Sequence, residues 1–287
     1  MSIKFGAAGN SDSFYEQGNK SSLEMPRWLA EMGLNAYEYQ CSRGVRVKEE
    51  FCRKLGQEAR DNDVALSIHA PYYINLGTED PLIKEKTKGH ILKSLRAANW
   101  MGAVTVVMHP GGGAKKDRNA AHQRIKTALE EVLEEVKAEG LEHIKIAPET
   151  MGKVNQMGSL DEILDLCTVA DNVVPCVDFG HLHAVNQGSL TDKESFAVVL
   201  DKIHSFLGEE ALKKLHIHFS PIEFSKGGEK KHHTTMDTEF GPDFTPLAEL
   251  ITERKMQPTI ICESNGRQAE DALIFKKIYE TSSQESE

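Results

Sequence analysis

Residues 68–77 read Ile68-His69-Ala70-Pro71-Tyr72-Tyr73-Ile74-Asn75-Leu76-Gly77. An apolar run ends in a histidine and gives way to a proline-led loop that carries two tyrosines. A buried strand of this kind delivers a ligand-capable side chain to its own exit, with aromatic groups beyond it. The design recurs along the chain. Eight apolar, β-branched runs can be marked: Ile3–Ala8, Ala36–Cys41, Ala65–Ala70, Val104–His109, Ile144–Glu149, Val173–Asp178, Leu215–Phe219 and Pro258–Glu263.

Segments of helical periodicity lie between these runs. The clearest are Leu82–Met101 and Ala121–Ala138, the latter with Ile125, Leu129, Val132, Leu133 and Val136 at three- and four-residue spacing. Shorter helices fit Ser22–Met32, Lys48–Arg60, Leu160–Ala170, Lys193–Leu207, Pro246–Glu253 and Ala269–Tyr279. Ser159 with Glu162, and Thr191 with Glu194, read as capping boxes at helix starts. Near-continuous apolar strands alternating with helices indicate a parallel sheet covered by helices. Eight such units in 287 residues match a closed (β/α)8 TIM barrel, which commonly takes about 250 residues. The expected organisation is one α/β domain over residues 1–280, with a frayed tail over 281–287. The longest irregular stretch expected is Phe219–Thr245, and long loops of that kind usually carry function.

The five cysteines form no CxxC pair and leave an odd one over, which favours a reduced, cytoplasmic setting over a disulfide framework. No run approaches the roughly 20 apolar residues of a membrane span, and the start of the chain passes straight into a strand with no apolar leader. The net charge of -10 argues mildly against a protein that coats nucleic acid. A local basic groove is still compatible with it.

Barrel enzymes place their active sites at the C-terminal ends of the strands. Here those ends carry His69, His109, Glu149, Asp178, His218 and Glu263. Six such groups aimed at one mouth would be costly to desolvate unless a cation paired with the carboxylates. One step below, on the same strand faces, lie Ser67, Val107, Ala147, Cys176, His216 and Ile261, mostly residues that suit an inner layer. His216 is either a partner beneath the site or a competing ligand, and His218 is favoured because it is nearer the exit. His181 follows Asp178 closely enough to reach the mouth. The sequence Lys226-Gly227-Gly228-Glu229-Lys230-Lys231-His232-His233 adds positive charge and two more imidazoles. Imidazole and carboxylate without thiolate suit Zn²⁺ or Mn²⁺ in a catalytic site.

The ordered set His69-x-x-Tyr72-x-Ile74-Asn75-Leu76-Gly77, His109-Pro110-Gly111, Glu149-Thr150-x-Gly152, Asp178-x-x-His181, His218-Phe219-Ser220 and Cys262-Glu263 resembles endonuclease IV. That family comprises zinc-dependent apurinic/apyrimidinic endonucleases of the xylose-isomerase-like barrel superfamily. The resemblance implies that His69 and His109 hold one zinc and that Glu149 bridges it to a second held by Asp178, His218 and Glu263. It also implies that His181 and His232 hold a third. The family usually completes that last site with an Asp-x-His pair. Here the place reads Lys230-Lys231-His232, with Glu229 one residue earlier as a possible substitute and His233 as an alternative to His232. The resemblance further implies two or three zinc ions (or manganese) per chain and damaged duplex DNA as substrate; no membrane or protein partner is indicated, and a monomer is expected. The expected reaction is cleavage on the 5′ side of an abasic site, with Glu149 catalytic. Tyr72, Tyr73 and Arg43, with Arg46 near it, would then contact the DNA. Two other readings stand beside this one: a divalent-metal sugar isomerase or epimerase of the same superfamily, and a metal-binding barrel without catalysis.

Overall fold

The computed structural model of the chain describes residues 3–284. The eight expected strands are present as β1 (Lys4–Ala8), β2 (Ala36–Gln40), β3 (Ala65–His69), β4 (Thr105–Met108), β5 (Lys145–Pro148), β6 (Cys176–Asp178), β7 (His216–Phe219) and, after two extra strands, β10 (Thr259–Cys262). They pair side by side in parallel in the order β5-β4-β3-β2-β1-β10-β7-β6. The ring closes between β5 and β6 through two isolated parallel bridges, Ile146 with Val173 and Glu149 with Cys176. At this seam Thr150 N–H donates to the Cys176 carbonyl at 3.0 Å and Val174 N–H to the Ile146 carbonyl at 2.9 Å.

Helices α1 (Asp12–Glu16), α2 (Met25–Glu31), α3 (Glu49–Asp61), α4 (Pro81–Met101), α5 (Arg118–Ala138), α6 (Leu160–Leu166), α7 (Phe179–Val185), α8 (Lys193–Leu207), α9 (Glu209–Lys213), α10 (Thr245–Glu253) and α11 (Gln268–Gln284) complete the fold. Most wrap the outside of the sheet. The period of two on each strand sorts the side chains. On β2, Tyr37 and Tyr39 face the helices, and Tyr39 packs on Phe51 of α3 with ring centroids 6.0 Å apart. Ala36 on the opposite face joins Ala8 and Ile261 on the barrel axis. A second axial cluster holds Val107, Ala147 and Cys176. The main core, from Phe5 through Leu55, Ile91 and Leu129 to Phe275, lies between sheet and helices. Each fully buried Leu, Ile or Phe there stabilises the fold by about 1.5–3 kcal/mol. The axis is tight enough that a Cβ at Gly6 would sit 1.9 Å from the Ala36 carbonyl oxygen.

Four expectations need correction. Residues Phe219–Thr245 are not wholly irregular, because β8 (Ile222–Ser225) and β9 (Gly228–His232) pair as an antiparallel hairpin. The closing helix α11 continues past Thr281 to Gln284, so the frayed tail expected from 281 is helical as far as 284. Residues 285–287 lie outside the described part. The cap of α8 is Asp192 with Ser195, not Thr191 with Glu194. Asp192 reaches the Ser195 amide at 2.9 Å and so takes the role from its neighbour. The box at Ser159 and Glu162 is present as expected. Finally, α7 begins immediately at the exit of β6 and was not anticipated. All five cysteines are buried and free, and no helix among the described residues is long and apolar enough to cross a membrane.

Candidate metal centre

The C-terminal mouth is built around Glu149, the first residue after β5, whose carboxylate is fully buried. Its Oε2 lies 3.2 Å from Nε2 of His69 and 3.1 Å from Nε2 of His109. Its Oε1 lies 3.1 Å from Nδ1 of His218. His69 is the last residue of β3, His109 follows β4 directly, and His218 is on β7. Burial alone would raise the Glu149 pKa, but His218, His109 and His69 hold it well below the ordinary carboxylate range. Asp178 ends β6 and caps α7, its Oδ1 accepting the His181 amide at 2.7 Å. Burial lifts its pKa to about 6. Glu263, just after β10, places Oε1 3.5 Å from Nδ1 of His218.

A third group sits beside these. His181, in the first turn of α7, has Nε2 3.5 Å from Oε2 of Glu229. His232 at the end of β9 has Nε2 3.8 Å from Oε1 of Glu229. The hairpin thus carries both Glu229 and His232 to a histidine of the barrel. It is held there by close backbone packing, with Glu229 N–H donating to the Gly152 carbonyl at 2.8 Å.

Three sets of donors therefore converge: His69, His109 and Glu149; Glu149, Asp178, His218 and Glu263; and His181, Glu229 and His232. Within each set the donor atoms lie within 4.8 Å of one another. Hydrogen bonding fixes which nitrogens are free. A carbonyl oxygen only accepts, so the contacts from Nδ1 of His69 to Ala70 O at 2.8 Å and from Nδ1 of His181 to Thr150 O at 2.9 Å place a proton on each Nδ1. In the neutral ring, each Nε2 then turns a lone pair toward a carboxylate. Lone pair against anion is repulsive unless a cation lies between them. Oδ2 of Asp178 is likewise buried and without a hydrogen bond. Metal ions meet all of these requirements at once, and the residues fit them.

Without metal, a proton has to do the same work. Although burial opposes charge on both rings, Glu149 lifts His69 to about 9, and Asp178 with Glu149 lifts His181 to about 9. Both exceed the unfolded value of about 6.5. In the metal-free protein these two rings add stability that is fully present below about pH 6.5 and lost as pH rises through about 9. Metal uptake at pH 7.5 is therefore expected to release protons. Zinc titrations by calorimetry in two buffers of different ionisation enthalpy should give different apparent heats, and equal heats would contradict the assignment.

His216 lies one step deeper, with Nε2 2.9 Å from Oε2 of Glu38, and its ligand atoms also group with those of Cys176 and His218. His233 stands away from the mouth, stacked on Phe240 at 3.8 Å and flanked by Glu223 and Asp237. Tyr72 is 63% exposed at the rim and lines the mouth with Gln40, Ser42, Lys153 and Gln156, around a cavity of about 320 Å³. Tyr73 leans on His90 at 4.9 Å. Arg43 and Arg46 are exposed on the loop after β2. Sequence reasoning missed Glu38, a fully buried acid of β2. The period of two gives the signal once the structure shows Tyr37 and Tyr39 facing outward, because the acid between them then has to face the axis.

The family model described as xylose isomerase-like TIM barrel matches residues 26–280. The chain belongs to this family. It is 34% identical over 251 residues to an uncharacterised protein of Methanocaldococcus jannaschii, covering 88% of this chain and 89% of that one. It is also 30% identical over 220 residues to a probable endonuclease 4 of Shouchella clausii, covering 72% and 73%. Against several other relatives of that name it spans little more than half their length. Among solved structures it is similar to endonuclease IV from Thermus thermophilus, with a TM-score of 0.68, 20% identity and coverage of 98% and 99%. It is similar also to a D-tagatose 3-epimerase-like protein, with a TM-score of 0.70, 19% identity and coverage of 99% of each chain. At these identities the two structures speak for the fold alone.

Proposed function

We propose that this chain is a zinc-dependent hydrolase that nicks duplex DNA on the 5′ side of abasic sites. The observation that carries the reading is the presence of three donor sets at one mouth, the third brought by a hairpin, beside exposed Tyr72. Bound ions would supply a water acidic enough to ionise near neutral pH and would neutralise charge on the phosphate and the leaving oxygen. Glu149 holds the centre together through both of its oxygens. His69, His109 and His218 turn ring nitrogens toward it at 3.1–3.2 Å. Lys153 at the rim offers positive charge to the DNA backbone, while Tyr72 offers a ring to the gap left by a missing base.

The test is a duplex carrying a single tetrahydrofuran abasic analogue. With zinc or manganese present, one nick 5′ to the analogue is expected, and intact substrate at protein in excess of DNA would sink the proposal. Metal analysis should find three ions per chain. Tyr72→Ala should keep the metal content and weaken binding to the damaged duplex by about tenfold, since stacking on a base contributes ~1–3 kcal/mol. Unchanged affinity in a gel-shift titration would leave that tyrosine outside recognition.

A second reading draws on one observation. Glu149, Asp178, His218 and Glu263 already form a complete four-donor group, enough for a single-ion sugar epimerase. Under that reading one ion would suffice for activity, and the two imidazoles at His69 and His109 would have no task. Turnover of a ketose with one bound ion, and no DNA nicking, would favour it.

A further inference from the structure

Beneath the ligands lies a buried carboxylate that none of the three donor sets includes. Glu38 is fully enclosed, in the interior layer one step below the mouth. Its Oε2 accepts the Ser67 hydroxyl at 2.9 Å and faces Nε2 of His216 at 2.9 Å. Its Oε1 receives the Gln40 amide at 3.3 Å and lies 3.0 Å from Nε2 of His218. Nε2 of His218 is buried and makes no hydrogen bond, so Glu38 acts on it through charge. Four groups from β2, β3 and β7 thus surround two oxygens. A buried anion gathered so completely is held in one place.

The consequence falls on His218. That ring has carboxylates on both sides, Glu38 at Nε2 and Glu149 at Nδ1. A neutral imidazole carries one proton, and a carboxylate accepts but does not donate. In this structure the ring meets Glu149 through Nδ1 at 3.1 Å; an ion taken at Nδ1 would leave the proton on Nε2, beside the charge of Glu38 3.0 Å away. Nδ1 would then have its lone pair among Glu149, Asp178 and Glu263.

We infer that Glu38 is a positioning residue that holds His218 as an Nδ1 donor, and so sets the affinity of the ion taken by Asp178, His218 and Glu263. Carboxylates hydrogen-bonded to a ligating histidine orient the ring, fix its tautomer and raise its basicity. This inference rests on the metal-dependent reading above but not on DNA as the substrate. Gln40 adds a link to the surface, because it lines the mouth cavity while its amide N–H holds Glu38.

The experiment titrates Co²⁺ into the metal-free full chain, following its visible absorption and competing it against a chelator of known affinity. Wild type, Glu38→Gln, Ser67→Ala and His218→Ala are compared. Glu38→Gln keeps the shape of the side chain but ends in an amide that can donate to His218, which favours the wrong tautomer. It should weaken by roughly 10–100-fold the one binding step that His218→Ala removes, and leave the others unchanged. Ser67→Ala, which loosens the carboxylate without altering it, should weaken the same step by a smaller factor. In a His218→Ala background, Glu38→Gln should have no further effect on Co²⁺ binding. Unchanged affinity in both single variants would overturn the inference. So would an equal loss at every step together with a lowered Tm, which is the mark of a purely structural role. The nicking assay is read separately: the expected Co²⁺ pattern without DNA cleavage would retire the nuclease reading and leave the role of Glu38 standing.

Discussion

Glu149→Gln is expected to leave the barrel folded and to lower nicking by about a thousandfold or more. Both oxygens of Glu149 are in use, Oε2 toward His69 and His109 and Oε1 toward His218, so a single residue joins two donor sets. An amide has the same size, but it carries no charge and turns an NH₂ toward imidazole nitrogens that would otherwise bind metal. Charge stabilisation by metal ions is worth several kcal/mol in a hydrolytic transition state. At 1.36 kcal/mol per tenfold, that corresponds to about three powers of ten. The fold should survive, since the partners found for this side chain are the imidazoles of His69, His109 and His218 rather than backbone groups. Circular dichroism and Tm of the metal-free proteins test the fold, and single-turnover nicking tests the rate. Residual activity within tenfold of wild type would show that the junction of the two sets is not Glu149.

Gly228→Ala is the second change with a large expected effect, and it acts through backbone alone. Gly228 opens β9 at φ +91°, and a Cβ there would lie 2.1 Å from the Gly152 carbonyl oxygen and 3.0 Å from Cα of Lys153. No rotamer relieves such a contact. A left-handed backbone costs an ordinary residue a further ~1–2 kcal/mol. The hairpin must therefore lift from the segment after β5, taking Glu229 and His232 away from His181. The expected result is loss of one metal ion per chain and a fall in nicking of at least about a hundredfold, on the scale of losing several kcal/mol of charge stabilisation. The barrel Tm should move little, because the hairpin contributes few residues to the main core. His232→Ala should lose the same ion without the clash. If Gly228→Ala retained all its metal, the third set would not depend on where the hairpin docks.

The fold was legible in the sequence because a closed parallel barrel buries both faces of every strand. Each strand is then a short apolar run, and the polar residue ending the run is conspicuous. His69, His109, Asp178 and Glu263 could be marked on that ground alone. Three features were not legible, each for a physical reason. The strands of the hairpin, with Glu229-Lys230-Lys231-His232 in β9, are half-exposed, so no apolar alternation betrays them. Helix α7 is only seven residues long, and its start depends on Asp178 serving as both strand end and cap, which composition does not signal. Glu38 could be placed on the axis only once Tyr37 and Tyr39 were known to face outward, and the packing of Tyr39 on Phe51 of α3 is what shows that. His216 and His218 share one strand face and differ only in depth, which is why the sequence favours His218, the nearer to the exit, on position alone.

The seam of the barrel gives the donor arrangement another meaning. Seven junctions of the ring carry ladders of three to five paired residues, whereas β5 and β6 meet through two single bridges among the described residues. Glu149 stands at the end of one side of that junction and Asp178 at the end of the other. An ion held by both would be a clasp across the weakest edge of the ring. On the proposed reading, one ion would then both meet a phosphate and fasten the wall behind it, so that mechanical closure and chemistry would be loaded in one event.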